Sequence, residues 1–210
     1  MKKIILILIY TFFWRNFLKI IIGLKYKNRN VLKKKKQFIL IANHNSHMDT
    51  MAIMSSIPPR YIHRVHPIAA ADFFGGSHLK EKLMRYMVNA TLIPRKRAES
   101  IEDVDPIQVM SNLIEKGRSI IVYPEGSRGY PGVMTDFKKG IGYLINKNPH
   151  VDVIPVYLAG IHKTLPKGKK LILPYNCEII FGDTIKYDSF EVDDIVNKSQ
   201  HEFNKLIKNK

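Results

Sequence analysis

His44 and Asp49 are the residues of this chain whose types and spacing most directly permit chemistry. They stand in Asn43-His44-Asn45-Ser46-His47-Met48-Asp49, directly after the apolar run Phe38-Ile39-Leu40-Ile41-Ala42. That run reads as a buried strand, and Met51 to Ser56 as the start of a helix. A tight strand-to-helix turn brings such a pair together. An imidazole held by a carboxylate is a general base, because the carboxylate fixes the ring tautomer and stabilises the imidazolium as it forms. The plainer reading of the same residues is a turn histidine and an aspartate at a helix N-cap. No Ser or Cys occupies a nucleophile elbow, so the hydroxyl to be activated has to arrive with the substrate.

Two further apolar runs end in polar loops. Ser119-Ile120-Ile121-Val122-Tyr123 opens into Pro124-Glu125-Gly126-Ser127-Arg128-Gly129. Gly126 and Gly129 let backbone amides approach an anion, and Arg128 offers a bidentate fork for phosphate. Thr91-Leu92-Ile93-Pro94 ends in Arg95. Polar loops at several strand ends point to one crevice at the edge of an α/β sheet.

Together these residues resemble the glycerolipid acyltransferase family, the group that includes bacterial 1-acylglycerol-3-phosphate acyltransferase. His44 and Asp49 match its H-x4-D motif, and Ile93-Pro94-Arg95 looks like its second block. Glu125-Gly126-Ser127-Arg128 is similar to its E-G-[TS]-R block, and Val153-Ile154-Pro155-Val156 to its fourth, an apolar strand with a central Pro. The blocks follow in the family's order across residues 38 to 160. The resemblance implies acyl transfer from a thioester, carried by acyl-CoA or acyl carrier protein, to a hydroxyl of a lysophospholipid. By that carry-over His44 takes the proton of the acceptor hydroxyl and Asp49 orients His44. Arg128 and Arg95 hold the acceptor's phosphate or another anionic headgroup, and Glu125 and Ser127 shape that pocket. Loop amides near Gly126 are the expected oxyanion donors. No cofactor is implied.

One stretch departs from the phosphatidic-acid-forming members, which often carry a Lys near an acidic residue after the first block. Here it reads His66-Pro67-Ile68-Ala69-Ala70-Ala71-Asp72-Phe73-Phe74. It looks more like a subgroup of lysophospholipid acyltransferases with an Ala-Ala-Asp-aromatic segment. Lysophosphatidate, another lysophospholipid and a lyso-aminolipid all stand as acceptors.

With 210 residues, the chain is long enough for one domain with a sizeable core. The formal charge of +16, from 34 Lys and Arg against 18 acidic residues, sets up a field that attracts anionic lipid headgroups, nucleic acid or acidic proteins. No zinc-finger, basic-zipper or RNP-like signature accompanies it, so nucleic acid is not an expected partner. The lone Cys177 excludes an internal disulfide and reads as a buried structural thiol.

The N-terminus carries the membrane expectation. Lys2-Lys3 precede the apolar run Ile4 to Trp14, Arg15-Asn16 interrupt, and apolar residues resume to Leu24. The uninterrupted run is shorter than the ~20 residues of a span. It also lacks a small-x-small cleavage site. A helical segment over 1–30, lying in one leaflet, is favoured, with a single span as the alternative. Lys25, Lys27, Arg29 and Lys33 to Lys36 then face the cytoplasm, on a bacterial inner membrane.

Residues 31–210 are expected to form the acyltransferase domain. Strands are predicted at 37–42, 66–70, 119–123 and 151–158, with 171–173 and 177–181 pairing near the sheet edge. Helices are predicted at 79–88, 105–116, 139–146 and 190–207. Asp105 and Pro106 supply an N-cap and first position, and Gly117 a stop. The alternation favours an α/β fold with a mixed, largely parallel sheet flanked by helices, preceded by the membrane-associated segment. His44-x2-His47-x-Asp49 matches no common zinc spacing, and His63 and His66 read as surface residues. After Phe137, Lys138 and Lys139 read as solvated lysines, with Lys139 a candidate anion ligand and Gly140 a site of close helix packing. A non-catalytic lipid-binding protein of the same fold is the competing function.

Overall fold

The computed structural model describes residues 1–46, 48–71, 82–94, 104–127, 129, 133–164 and 173–208. Seven strands form one sheet in the order β1-β7-β6-β2-β5-β3-β4. They are β1 (Lys25–Lys27), β2 (Phe38–Ala42), β3 (Val65–Ala70), β4 (Thr91–Ile93), β5 (Ser119–Val122), β6 (Asp152–Ala159) and β7 (Glu178–Phe181). Every pairing is parallel except β6 with β7. The helices are α1 (Lys2–Ile21), α2 (Asp49–Ser56), α3 (Pro106–Glu115), α4 (Lys139–Lys147), α5 (Ile161–Thr164) and α6 (Val192–Lys208). The expected mixed, largely parallel sheet with flanking helices is the fold observed.

Alternation along β2 decides which helices cover which face. Phe38, Leu40 and Ala42 point to one side, where they meet α1 and α2 through Leu6, Tyr10, Ala52 and Ile53. Ile39 and Ile41 point to the other, against α3, α4 and α6 through Ile114, Leu144 and Phe203. All five β2 residues are buried, as a central strand covered on both faces requires.

The connections leaving β2 and β5 diverge. β2 leads through α2 to β3, beyond β5, whereas β5 leads through α4 to β6, beyond β2. The carboxyl ends of β2 and β5 are therefore a topological switch point, where α/β sheets open a crevice.

Pro155 stands inside β6 with strands on both sides. Its carbonyl accepts from Gly182 N at 2.8 Å, so its backbone polar edge faces the chain just beyond the end of β7. The N–H that proline lacks is thus not needed for the ladder to β2.

Two expectations are revised. Lys25–Lys27 is an edge strand rather than part of a purely helical segment, and it puts β7 inside the sheet; a boundary at residue 30 falls after the first strand. The close packing of α4 on α6 belongs to Gly142, where a Cβ would lie 2.6 Å from Val192 O, and not to Gly140, which has open space around it. The predicted caps of α3 are present: Asp105 Oδ1 accepts from Ile107 N, and Gly117 adopts φ +69°. Within 82–88 the chain forms a wide helical turn, Met84–Val88, while 79–81 and 171–172 lie outside the described residues.

Candidate active site

His44 and Asp49 meet. His44 Nδ1 lies 3.0 Å from Asp49 Oδ2. The same oxygen accepts backbone N–H bonds from Asn45 and Ser46, each at 2.7 Å. Asp49 is 1% exposed and opens the first turn of α2, where the helix dipole favours negative charge. It is not an N-cap in the ordinary sense, because its carboxylate reaches back to the turn that carries His44. An ionised carboxylate is acceptor-only, so Nδ1 carries the proton and Nε2 keeps its lone pair.

Sequence reasoning passed over three neighbours that hold this turn. Asn43 extends the β2 ladder with its side chain: Nδ2 donates to Leu158 O at 3.2 Å, and Oδ1 accepts from Leu158 N at 2.8 Å. Tyr123 follows β5 and stacks on the imidazole, centroids 4.0 Å apart and planes 17° from parallel. Its hydroxyl is 2.8 Å from Thr50 Oγ1 on α2. Burial, and then the Asp49 carboxylate, push the Tyr123 phenol well above its ordinary range, so it stays neutral. Its position just before Pro124-Glu125 places it near the loop, but no local signal tells which way its ring turns.

Glu125 sits behind the site and not on its wall. It is 2% exposed. Oε1 accepts from His44 N at 2.9 Å, and Oε2 accepts from Thr135 N at 3.1 Å and Thr135 Oγ1 at 3.2 Å. The carboxylate thus fixes the backbone of His44. Gly126 has φ +75°, which glycine adopts without a Cβ penalty. Its N–H donates to Tyr123 O at 3.0 Å, and Gly129 N donates to His44 O at 3.3 Å. Both amides are committed to the loop, so the expected oxyanion donor at Gly126 is not free. Ser127 is exposed on the rim. Arg95 and Arg128 lie outside the described residues, as do His47 and Asp72 to Phe74.

A cavity of about 820 Å³ begins at His44 and Tyr123. Gly126, Ser127 and Lys138 line its polar side. Ile68, Val88, Met110, Ile141 and Leu144 line the remainder, between β3 and helices α3 and α4. The size falls within the ~300–1,000 Å³ of ordinary small-molecule sites. An imidazole held by a carboxylate at the mouth of an apolar cavity suits a substrate with one reactive polar end and one long apolar part.

Residues 23–159 match the family model described as Acyltransferase. The chain belongs to the acyltransferase family. Among curated relatives, a 1-acyl-sn-glycerol-3-phosphate acyltransferase of Limnanthes douglasii is 27% identical over 182 residues, which cover 83% of this chain and 59% of that protein. The human 1-acyl-sn-glycerol-3-phosphate acyltransferase alpha is 24% identical over 163 residues, covering 75% of this chain and 53% of its own length. This acyltransferase-family chain thus spans between half and three fifths of those relatives. The crystal structure of the 1-acyl-sn-glycerophosphate (LPA) acyltransferase PlsC from Thermotoga maritima superposes with a TM-score of 0.68 at 19% identity, over 89% of this chain and 71% of that one. The two share a fold. Every family block quoted from the sequence lies inside or at the edge of the matched range.

Two other residues singled out in the sequence are now placed. His66 lies half-buried in β3, with Nδ1 3.3 Å from Thr91 Oγ1, and is not the surface residue expected. Burial first, then the Arg118 and Lys2 cations, lower its pKa to about 4. Cys177 is fully buried, and burial pushes its thiol up to about 11.

Proposed function

We propose that this chain transfers a fatty acyl group from a thioester donor, acyl-CoA or acyl-acyl carrier protein, to a hydroxyl of a lysophospholipid, 1-acylglycerol-3-phosphate foremost. The observation that carries the reading is the Asp49-held His44 at the mouth of an apolar cavity. His44 Nε2 accepts the proton of the acceptor hydroxyl as that oxygen attacks the thioester carbonyl. The tetrahedral intermediate collapses by breaking the C–S bond, and the imidazolium returns its proton to the departing thiolate. Asp49 holds Nδ1–H throughout and stabilises the transient cation. No acyl-enzyme is needed, because the acceptor supplies the nucleophile.

A second acceptor class is favoured by one observation. Ala69 and Ala70 line the cavity in the stretch where the family's phosphatidic-acid-forming members often carry Lys. Another lysophospholipid or a lyso-aminolipid fits such a wall.

The membrane reading belongs to the same proposal. Lys2–Ile21 is long and apolar enough to cross a bilayer. One face of it, through Leu6, Tyr10 and Leu18, is buried against the domain, while Ile4, Leu8, Phe12 and Phe13 face outward. Arg15 ties the helix down, donating from Nε to Ser55 O at 2.8 Å and from Nη2 to Ile57 O at 3.2 Å. A helix held along the domain by one face has the other available for one leaflet. Exposed Leu83, Tyr86 and Met87 adjoin its first turn, where Lys2 Nζ donates to Arg85 O. The basic run from Lys25 to Lys36 then faces cytoplasmic headgroups.

The deciding experiment gives wild type and His44→Ala a labelled donor of each kind and a panel of lysolipids, with products separated by mass. Wild type is expected to acylate at least one acceptor. His44→Ala is expected to lose ~10² to 10⁴ in rate, the usual worth of a general base, while still binding lysolipid. No transfer by wild type from either donor overturns the enzymatic reading in favour of lipid binding.

A further inference from the structure

Within the family stretch that follows the Glu125 loop, Lys138 and Lys139 are adjacent in sequence yet belong to different surroundings. Lys139 is engaged on the far side of α4: its Nζ lies 2.8 Å from Asp193 Oδ1 and 3.1 Å from Oδ2, on the exposed seam with α6. Lys138, also exposed to solvent, lines the cavity that His44 opens. Its side chain runs across the face of Gly126. A Cβ at position 126 would lie 2.9 Å from Lys138 Cδ and 3.0 Å from Nζ. Gly126 makes the turn with a φ of +75°, and the flexible end of the Lys138 side chain lies in the space beside it. Among the described residues the Lys138 ammonium has no carboxylate partner. Its backbone is fixed by Lys138 N donating to Pro124 O at 2.9 Å, which ties the lysine to the loop that carries Glu125.

An ammonium that has no carboxylate partner among the described residues, on the wall of the cavity and with its backbone fixed, is a site for an anion. The rest of the wall is apolar apart from His44, Ser127, the Thr50, Tyr123 and Tyr143 hydroxyls and the Asp105 carboxyl, so Lys138 is the described cation placed to meet a charged headgroup there.

We propose that Lys138, and not Lys139, binds the anionic, phosphate-class headgroup of the acceptor. The proposal rests on the acyl-transfer reading and names a recognition residue for it. It supplies the cation that the Ala69-Ala70 wall lacks.

The test compares wild type, Lys138→Met, Lys138→Arg and Lys139→Met on lysophosphatidate dispersed in uncharged detergent micelles, which removes any effect of surface charge on membrane binding. Lys138→Met is expected to raise the acceptor KM ten-fold or more with kcat within about three-fold, Lys138→Arg to recover most of the loss, and Lys139→Met to stay within two-fold of wild type. Inorganic phosphate is expected to compete with the acceptor in wild type and to compete at least five-fold less well in Lys138→Met; competition unchanged in that variant would place the free anion elsewhere and count against the proposal. An unchanged acceptor KM in Lys138→Met overturns it, as does an equal rise in Lys139→Met, which would signify diffuse surface charge. If wild type turns over no substrate, the acyl-transfer reading fails by itself. Titration of a fluorescent lysophosphatidate then still reads Lys138: weaker binding in Lys138→Met alone supports the anion site, and equal binding in all four proteins overturns it.

Discussion

The imidazole of His44 lies face to face with the phenol ring of Tyr123, with the tyrosine hydroxyl 2.8 Å from Thr50 Oγ1. Thr50 is the residue after Asp49. The ring that stacks on His44 is therefore anchored to the helix that supplies the Asp49 carboxylate. Nδ1 is held in the imidazole plane by Asp49, and the plane itself is held by Tyr123, so the ring is constrained about two axes. Removing the stack should cost rate more than binding. Tyr123→Leu is expected to lower kcat about ten-fold, the equivalent of ~1.4 kcal/mol, with a smaller effect on acceptor KM. Tyr123→Phe keeps the ring and should retain most of the activity. Equal kcat in the leucine variant and wild type would remove Tyr123 from the positioning of His44.

Glu125 makes a different kind of contribution. Its carboxylate accepts from the backbone of His44 and from Thr135, and is almost fully buried. Glu125→Ala leaves those donors without an acceptor, at a cost of about 1–3 kcal/mol for a buried unsatisfied group. Urea unfolding should show the loss, and turnover should fall with it because the His44 backbone is released. Glu125→Gln keeps a carbonyl oxygen and should be the milder change in both measurements. A fully stable Glu125→Ala protein with reduced kcat would instead signify direct contact with substrate.

Arg15 joins α1 to the carboxyl end of α2, the helix whose amino end carries Asp49. Arg29 donates to Ser56 O in the same cluster. Arg15→Met removes charged donors from terminal carbonyls and should lower stability by about 1–3 kcal/mol. Thermal unfolding of the full chain in detergent checks this. An unchanged Tm would mean that α1 is held by its apolar face alone.

His66 gives the fold a pH dependence of predictable sign. Its pKa is lowered to about 4 in the folded protein, against ~6.5 for an unperturbed histidine. Between those values the unfolded chain binds a proton that the folded chain refuses. The contribution to stability is complete above pH 6.5 and is lost progressively as the pH falls toward 4. Tm measured from pH 7.5 to 4.5 should therefore decline more steeply for wild type than for His66→Gln. Parallel curves would show that His66 does not set the slope.

Much of the site's local chemistry was legible in the residues. The spacing of His44 and Asp49 after an unbroken apolar strand predicts their contact, because a turn of that length has few ways to enter a helix. Asp105, Pro106 and Gly117 mark the ends of α3 by backbone rules that operate over a few residues. The alternating pattern gives the class of sheet. Tyr123 was less legible. Nothing in its neighbours distinguishes a ring on the strand core from a ring on the imidazole, since that depends on β5 lying beside β2. Lys138 and Lys139 were indistinguishable as sequence, because their directions differ only by the rotation between the residue before a helix and its first residue.

Local sequence thus determined the strand-to-helix turn with its histidine and aspartate, the family blocks and the apolar N-terminal helix, all properties set by neighbours along the chain. The tertiary structure decided the rest. Strand order made the ends of β2 and β5 adjacent, turned Glu125 inward to hold the His44 backbone, tied the Gly126 amide into its own loop and laid Lys138 across Gly126. β1 joined the sheet edge for the same reason: a short run such as Lys25–Lys27 has no strand signal of its own and becomes a strand only when β7 offers its free hydrogen-bonding edge. Those contacts link residues distant in sequence, and their energies arise only once the sheet is assembled.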